Sequence, residues 1–381
     1  MTREDAIVEL VGFVAWGPEG GLSEAQEPAW LPTSTDTYMQ PPTYAASKLR
    51  VLPDGSPQLT LRNSAGARVV RLGSPPVQVA GEFVRDAVMT PDGNVVLLDQ
   101  LDIYRFDIRC VTADGTVLWG HAHVRKPSDH GGVRYDSRLL IDSLGRVFVA
   151  ISGSLIQVDE SASTVVAHYP GGHAVMCPDG RIGYARAQAN QTGYWVVRDI
   201  GTAEETATEV ALGERDLRDV VGADAAGRVY WRGQQAIARM VPGGGFDWLV
   251  DIGGITVSER YGVSILTYEQ DRGVARFDNG DRVPVADGGM GRLVGRGDDG
   301  EYVLHRLVWT GRYKKPDARL TYVDRDGRVL RTEAAPDEMW LTMDIAQPPD
   351  FSSVTADGAV LVAVSSELGV HVVRVAPGGA S

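Results

Sequence analysis

The stretch Thr90-Pro91-Asp92-Gly93-Asn94-Val95-Val96-Leu97-Leu98 places a tight turn next to an apolar run, and a second turn follows at Asp114-Gly115, before Val117-Leu118-Trp119. An aspartate hydrogen-bonds back onto its own chain, and a glycine takes the positive φ that closes such a turn. Short runs rich in valine and leucine between turns are typical of β-strands. The stretch therefore predicts short antiparallel strands joined by hairpin turns.

The same turn recurs along the chain, with near copies at Pro53-Asp54-Gly55 and Pro178-Asp179-Gly180. The turn glycines are Gly55, Gly93, Gly145, Gly180, Gly227, Gly262, Gly300 and Gly358, of which Gly262 has the most degenerate turn. Their mean spacing of about 43 residues is the length of one four-stranded propeller blade. We therefore expect an all-β protein, a single β-propeller domain over residues 1–381. Residues 45–381 should form about eight four-stranded blades, with seven as the alternative.

The two ends of the chain are expected to share a blade. Only Ala380 and Ser381 follow the last turn at Gly378-Gly379, so the final blade lacks its fourth strand. Residues 1–15 contain an apolar run that can supply this strand and close the ring, which protects open sheet edges. Residues 17–44 fit no blade and are rich in proline and glycine. We expect an irregular insertion there, either a lid or plug across one mouth of the ring or a segment along its rim.

The repeat unit from Thr90 to Trp119 resembles the NHL-type and quinoprotein-type propeller families. This resemblance covers nearly the whole chain beyond residue 45, and it implies the propeller fold. It implies no single function, because these families include enzymes and scaffolds alike. The tryptophan pattern of the quinoprotein type occurs only near Trp119 and Trp248, so we infer no quinone cofactor.

The composition excludes several classes of function. The net charge is −13, from 37 basic and 50 acidic residues, so nucleic acid and anionic membranes are not expected partners. The two cysteines, Cys110 and Cys177, are too few for a disulfide-rich secreted domain, and we see no signal peptide. No apolar run is long enough to span a membrane. We therefore expect a cytoplasmic protein, whose oligomeric state the sequence leaves open.

The candidate catalytic residues are histidines on one face of the ring. In a propeller, one mouth is built by the loops between blades and by those joining the second and third strands, and we expect ligands there. The Asp-Gly turns lie on the opposite face, so their aspartates are expected to be structural. Five of the seven histidines fall between residues 121 and 173, on two neighbouring loops. The predicted acid–base groups are His121, His123, His130, His168 and His173, together with Tyr135.

Substrate-binding and metal-binding residues are predicted on the same face. Arg85, Arg134 and Arg215 could hold a carboxylate or phosphate, with Tyr169 beside them, and Asp86 lies on one of these loops. His121 and His123 face the same way on an extended chain, so they could bind a divalent metal ion with Asp129. The alternatives are surface histidines with no joint role and arginines that form salt bridges between blades. The cofactor is therefore either absent or a divalent metal ion.

Two functions follow from this pattern. The first is an enzyme that acts on a small molecule at the central mouth, of the lyase, cyclase or hydrolase type. The second is a non-catalytic scaffold that binds a protein or peptide, through loops at residues 305–316 and 333–351. The chain contains no nucleophile elbow, phosphate-binding loop or zinc-protease motif. Cys110 lies in a predicted strand and is expected to belong to the core rather than to act as a nucleophile.

Overall fold

The fold is all-β throughout the part of the chain that the structure, a computed structural model, describes. That part comprises residues 6–15, 48–63, 66–81, 84–102, 104–124, 137–151, 153–169, 173–187, 192–211, 219–233, 236–252, 255–258, 262–265, 274–276, 282–284, 291–296, 302–308, 317–324, 328–334, 352–365 and 369–377. Within these residues, 32 strands form antiparallel sheets and no helix occurs.

Six four-stranded sheets are the blades of the propeller. The first three blades contain β2 (Lys48–Val51), β3 (Pro57–Asn63), β4 (Gly66–Arg71) and β5 (Val77–Ala80); β6 (Val84–Met89), β7 (Val95–Gln100), β8 (Arg105–Val111) and β9 (Val117–Val124); and β10 (Ser137–Ile141), β11 (Val147–Ile151), β12 (Ser154–Val158) and β13 (Ser163–His168). The next three contain β14 (Ala174–Met176), β15 (Ile182–Ala187), β16 (Thr192–Arg198) and β17 (Glu205–Ala211); β18 (Asp219–Ala223), β19 (Val229–Arg232), β20 (Ala236–Met240) and β21 (Phe246–Asp251); and β30 (Ser352–Val354), β31 (Val360–Ser365), β32 (Gly369–Pro377) and β1 (Ala6–Ala15).

The first strand of each blade lines the central channel. These inner strands are β2, β6, β10, β14, β18 and β30. Each blade packs against the next, and β18 of the fifth blade packs directly against β30 of the sixth, which in turn contacts β2 of the first. At the junction of the fifth and sixth blades, the Tyr230 hydroxyl donates to the Gly358 carbonyl at 2.7 Å. The Ala225 amide donates to the Ala356 carbonyl at 3.0 Å. The ring therefore closes with six blades.

The prediction of about eight blades, or seven, is wrong, although the propeller fold is confirmed. Six of the eight turn glycines, those at 55, 93, 145, 180, 227 and 358, have φ between 75° and 88°. In each of these turns the glycine amide donates to the carbonyl three residues earlier, at 2.8–3.0 Å. Gly262 instead begins a strand outside the ring, and Gly300 lies outside the described residues. The miscount arose because an insertion between two blades contains turn sequences of the same kind.

This insertion lies in sequence between the fifth and sixth blades. Its strands are β22 (Ile255–Ser258), β23 (Gly262–Ile265), β24 (Val274–Arg276), β25 (Arg282–Pro284), β26 (Gly291–Arg296), β27 (Tyr302–Val308), β28 (Asp317–Val323) and β29 (Val329–Ala334). β26 to β29 form a seventh four-stranded sheet, while β22–β23 and β24–β25 are two-stranded hairpins. β22 contacts β31, and β23 contacts β1, so this hairpin lies beside the sixth blade.

The N-terminal closing strand is confirmed. β1 pairs antiparallel with β32, with Ile7 opposite Ala376 and Val14 opposite Val370. It is the outer strand of the sixth blade, so the two ends of the chain complete one sheet. The predicted lid, plug or rim segment at residues 17–44 lies outside the described residues.

The hydrophobic core lies between neighbouring blades, because each sheet buries both of its faces. Trp195 of the fourth blade and Trp231 of the fifth belong to one buried cluster. Phe148 of the third blade and Tyr184 of the fourth belong to another. Cys110 is buried in a cluster that spans the first three blades, as predicted for a core residue. Packing of this kind holds the inner strands at fixed positions around the channel.

Candidate functional site

A layer of charged and polar side chains surrounds one end of the channel. Lys48, Asp86, Arg138 and His173 each lie seven residues before the turn glycine of their own blade. Asp219 lies eight residues before Gly227, but a β-bulge between Val220 and Gly222 absorbs the extra residue. These five residues are therefore equivalent positions in five successive blades, and we call them the charged layer. The equivalent position of the sixth blade, residue 351, lies outside the described residues.

Asp86 connects the first three blades. Its carboxylate is fully buried, and it accepts hydrogen bonds from Lys48 Nζ at 2.8 Å and Arg50 Nη2 at 2.5 Å. It also accepts from the backbone amides of Leu139 at 2.7 Å and Ala87 at 2.8 Å. Burial pushes the pKa of Asp86 up, but the charges of Arg50 and Lys48 and these hydrogen bonds push it down further, so the net shift is downward. The ionised carboxylate thus holds two cations at the channel.

Arg50 follows Lys48 by two residues on the same strand and reaches across two blades. Besides Asp86, its Nη1 donates to the Leu139 carbonyl of the third blade at 3.0 Å. The side chain is 12% exposed, and its buried Nε has no hydrogen-bond partner among the described residues. The two hydrogen bonds of its Nη1 and Nη2 therefore fix the guanidinium of Arg50 between the second and third blades.

Arg138, His173 and Asp219 connect the third, fourth and fifth blades. The Arg138 guanidinium contacts His173 Nδ1, and His173 Nε2 lies 3.2 Å from Asp219 Oδ1. Because arginine can only donate, Nδ1 must accept, so the hydrogen of a neutral His173 is on Nε2 and points to Asp219. Both nitrogens of this imidazole are therefore engaged, and its tautomer is assigned by its two neighbours.

The charged layer is more positive than the rest of the protein. With Arg50 it contains three cations, Lys48, Arg50 and Arg138, against the carboxylates of Asp86 and Asp219. The whole chain has a net charge of −13. Counted without His173, these five charged groups leave the layer with one positive charge in excess. The layer can therefore attract a small anion to the channel although the overall charge would repel one.

The structure places the predicted histidines at three different positions. His121 and His123 lie within β9, an outer strand, rather than in a loop. They face the same side, as predicted, and His121 Nε2 donates to the Asp159 carbonyl at 2.7 Å. His168 ends the outer strand β13, with Nδ1 3.2 Å from Ser154 Oγ. Of the four predicted histidines that lie in described segments, only His173 belongs to the charged layer.

The remaining predicted residues divide between the surface, the core and the segments outside the structure. Arg85 is exposed and donates to Gln100 Oε1. Tyr169 is buried, with its ring 5.4 Å from that of Tyr184. The residues that lie outside the described part of the chain are Asp129, His130, Arg134, Tyr135 and Arg215. Within the described part, no three histidine, cysteine or acidic side chains come together as a metal site. The predicted roles of all these residues remain predictions.

The sequence analysis named Asp86 and His173 but missed Lys48, Arg50, Arg138 and Asp219. The signal was present in the sequence. The residues seven positions before the turn glycines include Lys48, Asp86, Arg138 and His173, which are four of the five residues of the charged layer. Lys48, Arg50, Arg138 and Asp219 do not lie in loops of unusual composition. The charged layer instead lies at the start of regular strands, where the repeat brings equivalent residues to one level of the channel.

The fold and this layer define a six-bladed β-propeller with a charged channel. No family model matches the chain, and no curated protein matches it. Among solved structures, a protein of unknown function from Bacteroides caccae matches with a TM-score of 0.30 and 12% identity, over 64% of this chain and 94% of that one. A eukaryotic initiation factor matches with a TM-score of 0.31 and 10% identity, over 75% of this chain and 64% of that one. At these values neither likeness bears on function. No helix in the described residues is long and apolar enough to cross a membrane.

Proposed function

We propose that the propeller binds a small anionic molecule at the charged layer and acts on it as an enzyme of the lyase, cyclase or hydrolase type. The observation that supports this is the arrangement of Lys48, Arg50 and Arg138 at one end of the channel. A carboxylate or phosphate is the ligand that such cations recognise, since guanidinium groups pair with these oxyanions in a planar, two-bonded geometry.

The geometry supports binding more directly than catalysis. His173 is the one described histidine at the layer, and both of its nitrogens are engaged by Arg138 and Asp219. To accept a proton, its Nδ1 has to separate from Arg138. An anion that draws the Arg138 guanidinium away would release Nδ1 for this role. The proposed reaction therefore couples substrate binding to the freeing of a base.

Anion binding is tested by isothermal titration of the full chain with citrate and with inorganic phosphate. We expect saturable binding by the unaltered protein and a dissociation constant at least about tenfold higher in Lys48→Met, which removes one cation. The matched control is Arg71→Met, which removes one charge from an exposed ion pair with Asp54 and should leave binding unchanged. Absence of binding, or equal binding by Lys48→Met, would overturn the anion site.

The reaction has its own test. The protein is incubated with sugar phosphates, lactones and dicarboxylates, and proton NMR detects any new product. Turnover that is lost in His173→Asn while binding persists would support His173 as the acid–base group. Binding without turnover of any compound would favour the non-catalytic alternative.

That alternative is a scaffold for a protein or peptide. One observation favours it: the outer strand β1 exposes Ile7, Leu10, Val11 and Phe13, each by 44–52%. Exposed apolar side chains on one strand are typical of contact surfaces. The finer resemblance to NHL-type and quinoprotein-type repeats is compatible with either function. We also propose a cytoplasmic location, supported by the two free, buried cysteines.

A further inference from the structure

A groove of about 500 Å³ lies between the second and third blades, at the end of the strands opposite the charged layer. Its walls come from the turn between β6 and β7, the turn between β10 and β11, and the turn that joins β12 to β13. It is therefore a separate site, on the face where the Asp-Gly turns lie. Nothing in the proposed anion binding uses it.

Apolar side chains form part of the groove. Leu118 is 48% exposed and Leu144 is 76% exposed, although both are large and apolar. Trp119 also lines the groove, where it packs against the core of the first three blades and has its ring 5.5 Å from that of His121. Large apolar groups around a concave surface favour a partner that removes them from water.

Carboxylates form the rest of the wall. A hydrogen bond from Thr90 lowers the pKa of Asp92, and hydrogen bonds from Ser161 lower the pKa of Asp159, so both are ionised at neutral pH. Glu160 lines the groove beside Asp159 and is exposed to solvent.

Arg146 is the cation in the lining, and it is already neutralised. Its Nε donates to the buried carboxylate of Asp142 at 2.7 Å. The carboxylates of the groove therefore outnumber the cations that are available to them. A cationic partner would find an acidic wall and an aromatic ring side by side.

We propose that this groove binds an extended basic segment of a protein partner. An arginine or lysine side chain would lie against the Trp119 ring with its charge toward Asp159 and Glu160. A neighbouring aliphatic side chain would cover Leu118 and Leu144. The proposal would give the scaffold alternative a binding site, and it uses residues and a ligand different from those of the anion site, so either can fail alone.

The test uses fluorescence anisotropy with the full chain and a fluorescein-labelled ten-residue peptide of alternating arginine and leucine, which is about 34 Å long when extended. A second peptide replaces every arginine with glutamine. We expect the arginine peptide to bind and the glutamine peptide to bind at least about tenfold more weakly.

Charge-reversal variants locate the site. Glu160→Lys should raise the dissociation constant of the arginine peptide about fivefold or more, whereas Glu204→Lys should leave it nearly unchanged. Glu204 lies in the corresponding exposed turn of the fourth blade, so both variants change the net charge equally. Leu144→Ser, at an exposed position, should also weaken binding. Equal effects of the two glutamate variants, equal binding of both peptides, or no binding at all would overturn the proposal.

Discussion

Replacing Asp86 with asparagine should destabilise the whole propeller, because this side chain accepts four hydrogen bonds from three blades. Its Oδ2 accepts from Lys48 Nζ and Leu139 N, and its Oδ1 accepts from Arg50 Nη2 and Ala87 N. An asparagine amide can replace only one of these oxygens. In either flip its NH₂ group faces two donors, so two hydrogen bonds are lost, and Lys48 and Arg50 both lose their shared counter-charge.

The loss in the free energy of unfolding can be worked out from these contacts. Breaking a buried ion pair by removing one partner costs about 3–5 kcal/mol. For 381 residues the unfolding entropy is about 0.8 kcal/mol/K, so a loss of about 4 kcal/mol lowers the melting temperature by about 5 °C. Differential scanning calorimetry of the full chain at pH 7 measures this difference. The control is Asp54→Asn, whose exposed pair with Arg71 contributes less than about 1 kcal/mol.

The unaltered protein and the Asp86→Asn variant also give a pH test. The pKa of Asp86 is lowered in the folded state, so its contribution is present above the unfolded pKa of about 4 and is lost as the pH falls through the folded value. The side chain of the Asp86→Asn variant does not titrate, so the gap in melting temperature should narrow on acidification toward about pH 3. A gap at pH 7 no larger than that of the Asp54 control, or one that does not change with pH, would refute this account of Asp86.

Three further predictions concern the blades. Gly183→Ala should lower the free energy of unfolding by about 1–3 kcal/mol, because a Cβ there would lie 2.0 Å from the Trp195 ring. Gly201→Ala is the control, since a Cβ there would meet only a side-chain oxygen at 3.4 Å and should change the free energy of unfolding little. Chemical denaturation measures both differences. Deleting residues 1–15 removes β1 and exposes the edge of β32, so the soluble yield and melting temperature should both fall sharply; an unchanged melting temperature would contradict ring closure by this strand. Burial raises the pKa of Cys110 to about 11 and that of Cys177 to about 12, so a disulfide reagent at about pH 8 should label both thiols only after denaturation, and rapid labelling of the native protein would show that they are accessible.

Local chemistry made the blades predictable. The Asp-Gly turn needs a glycine with positive φ, and all six turns of the ring have one, so the turn could be recognised without any knowledge of packing. The missing fourth strand of the last blade followed from the short sequence after Gly379, and the pairing of β1 with β32 confirms it. The paired orientation of His121 and His123 followed from strand alternation in the same way.

The position of the histidines could not be predicted as well, because a strand and a loop differ little in polar composition. His121 and His123 alternate with Gly120 and Ala122, which have weak strand preference, yet pairing with β8 extends β9 through all of them. Instead of lying together at one mouth, the predicted histidines that the structure describes lie on the outer strands β9 and β13 and, for His173, at the channel.

The amino-acid sequence alone determined that this chain forms short four-stranded units, where their turns lie, and that its two ends share one sheet, because each of these depends on residues close to one another or on a count of strands. Only the tertiary structure decided that six units form the ring and that another four-stranded sheet lies in an insertion, since a turn sequence does not specify which sheet its strands pack against. It also decided the charged layer. Lys48, Asp86 and His173 are up to 125 residues apart, and only the closing of the ring brings equivalent positions to one level of the channel.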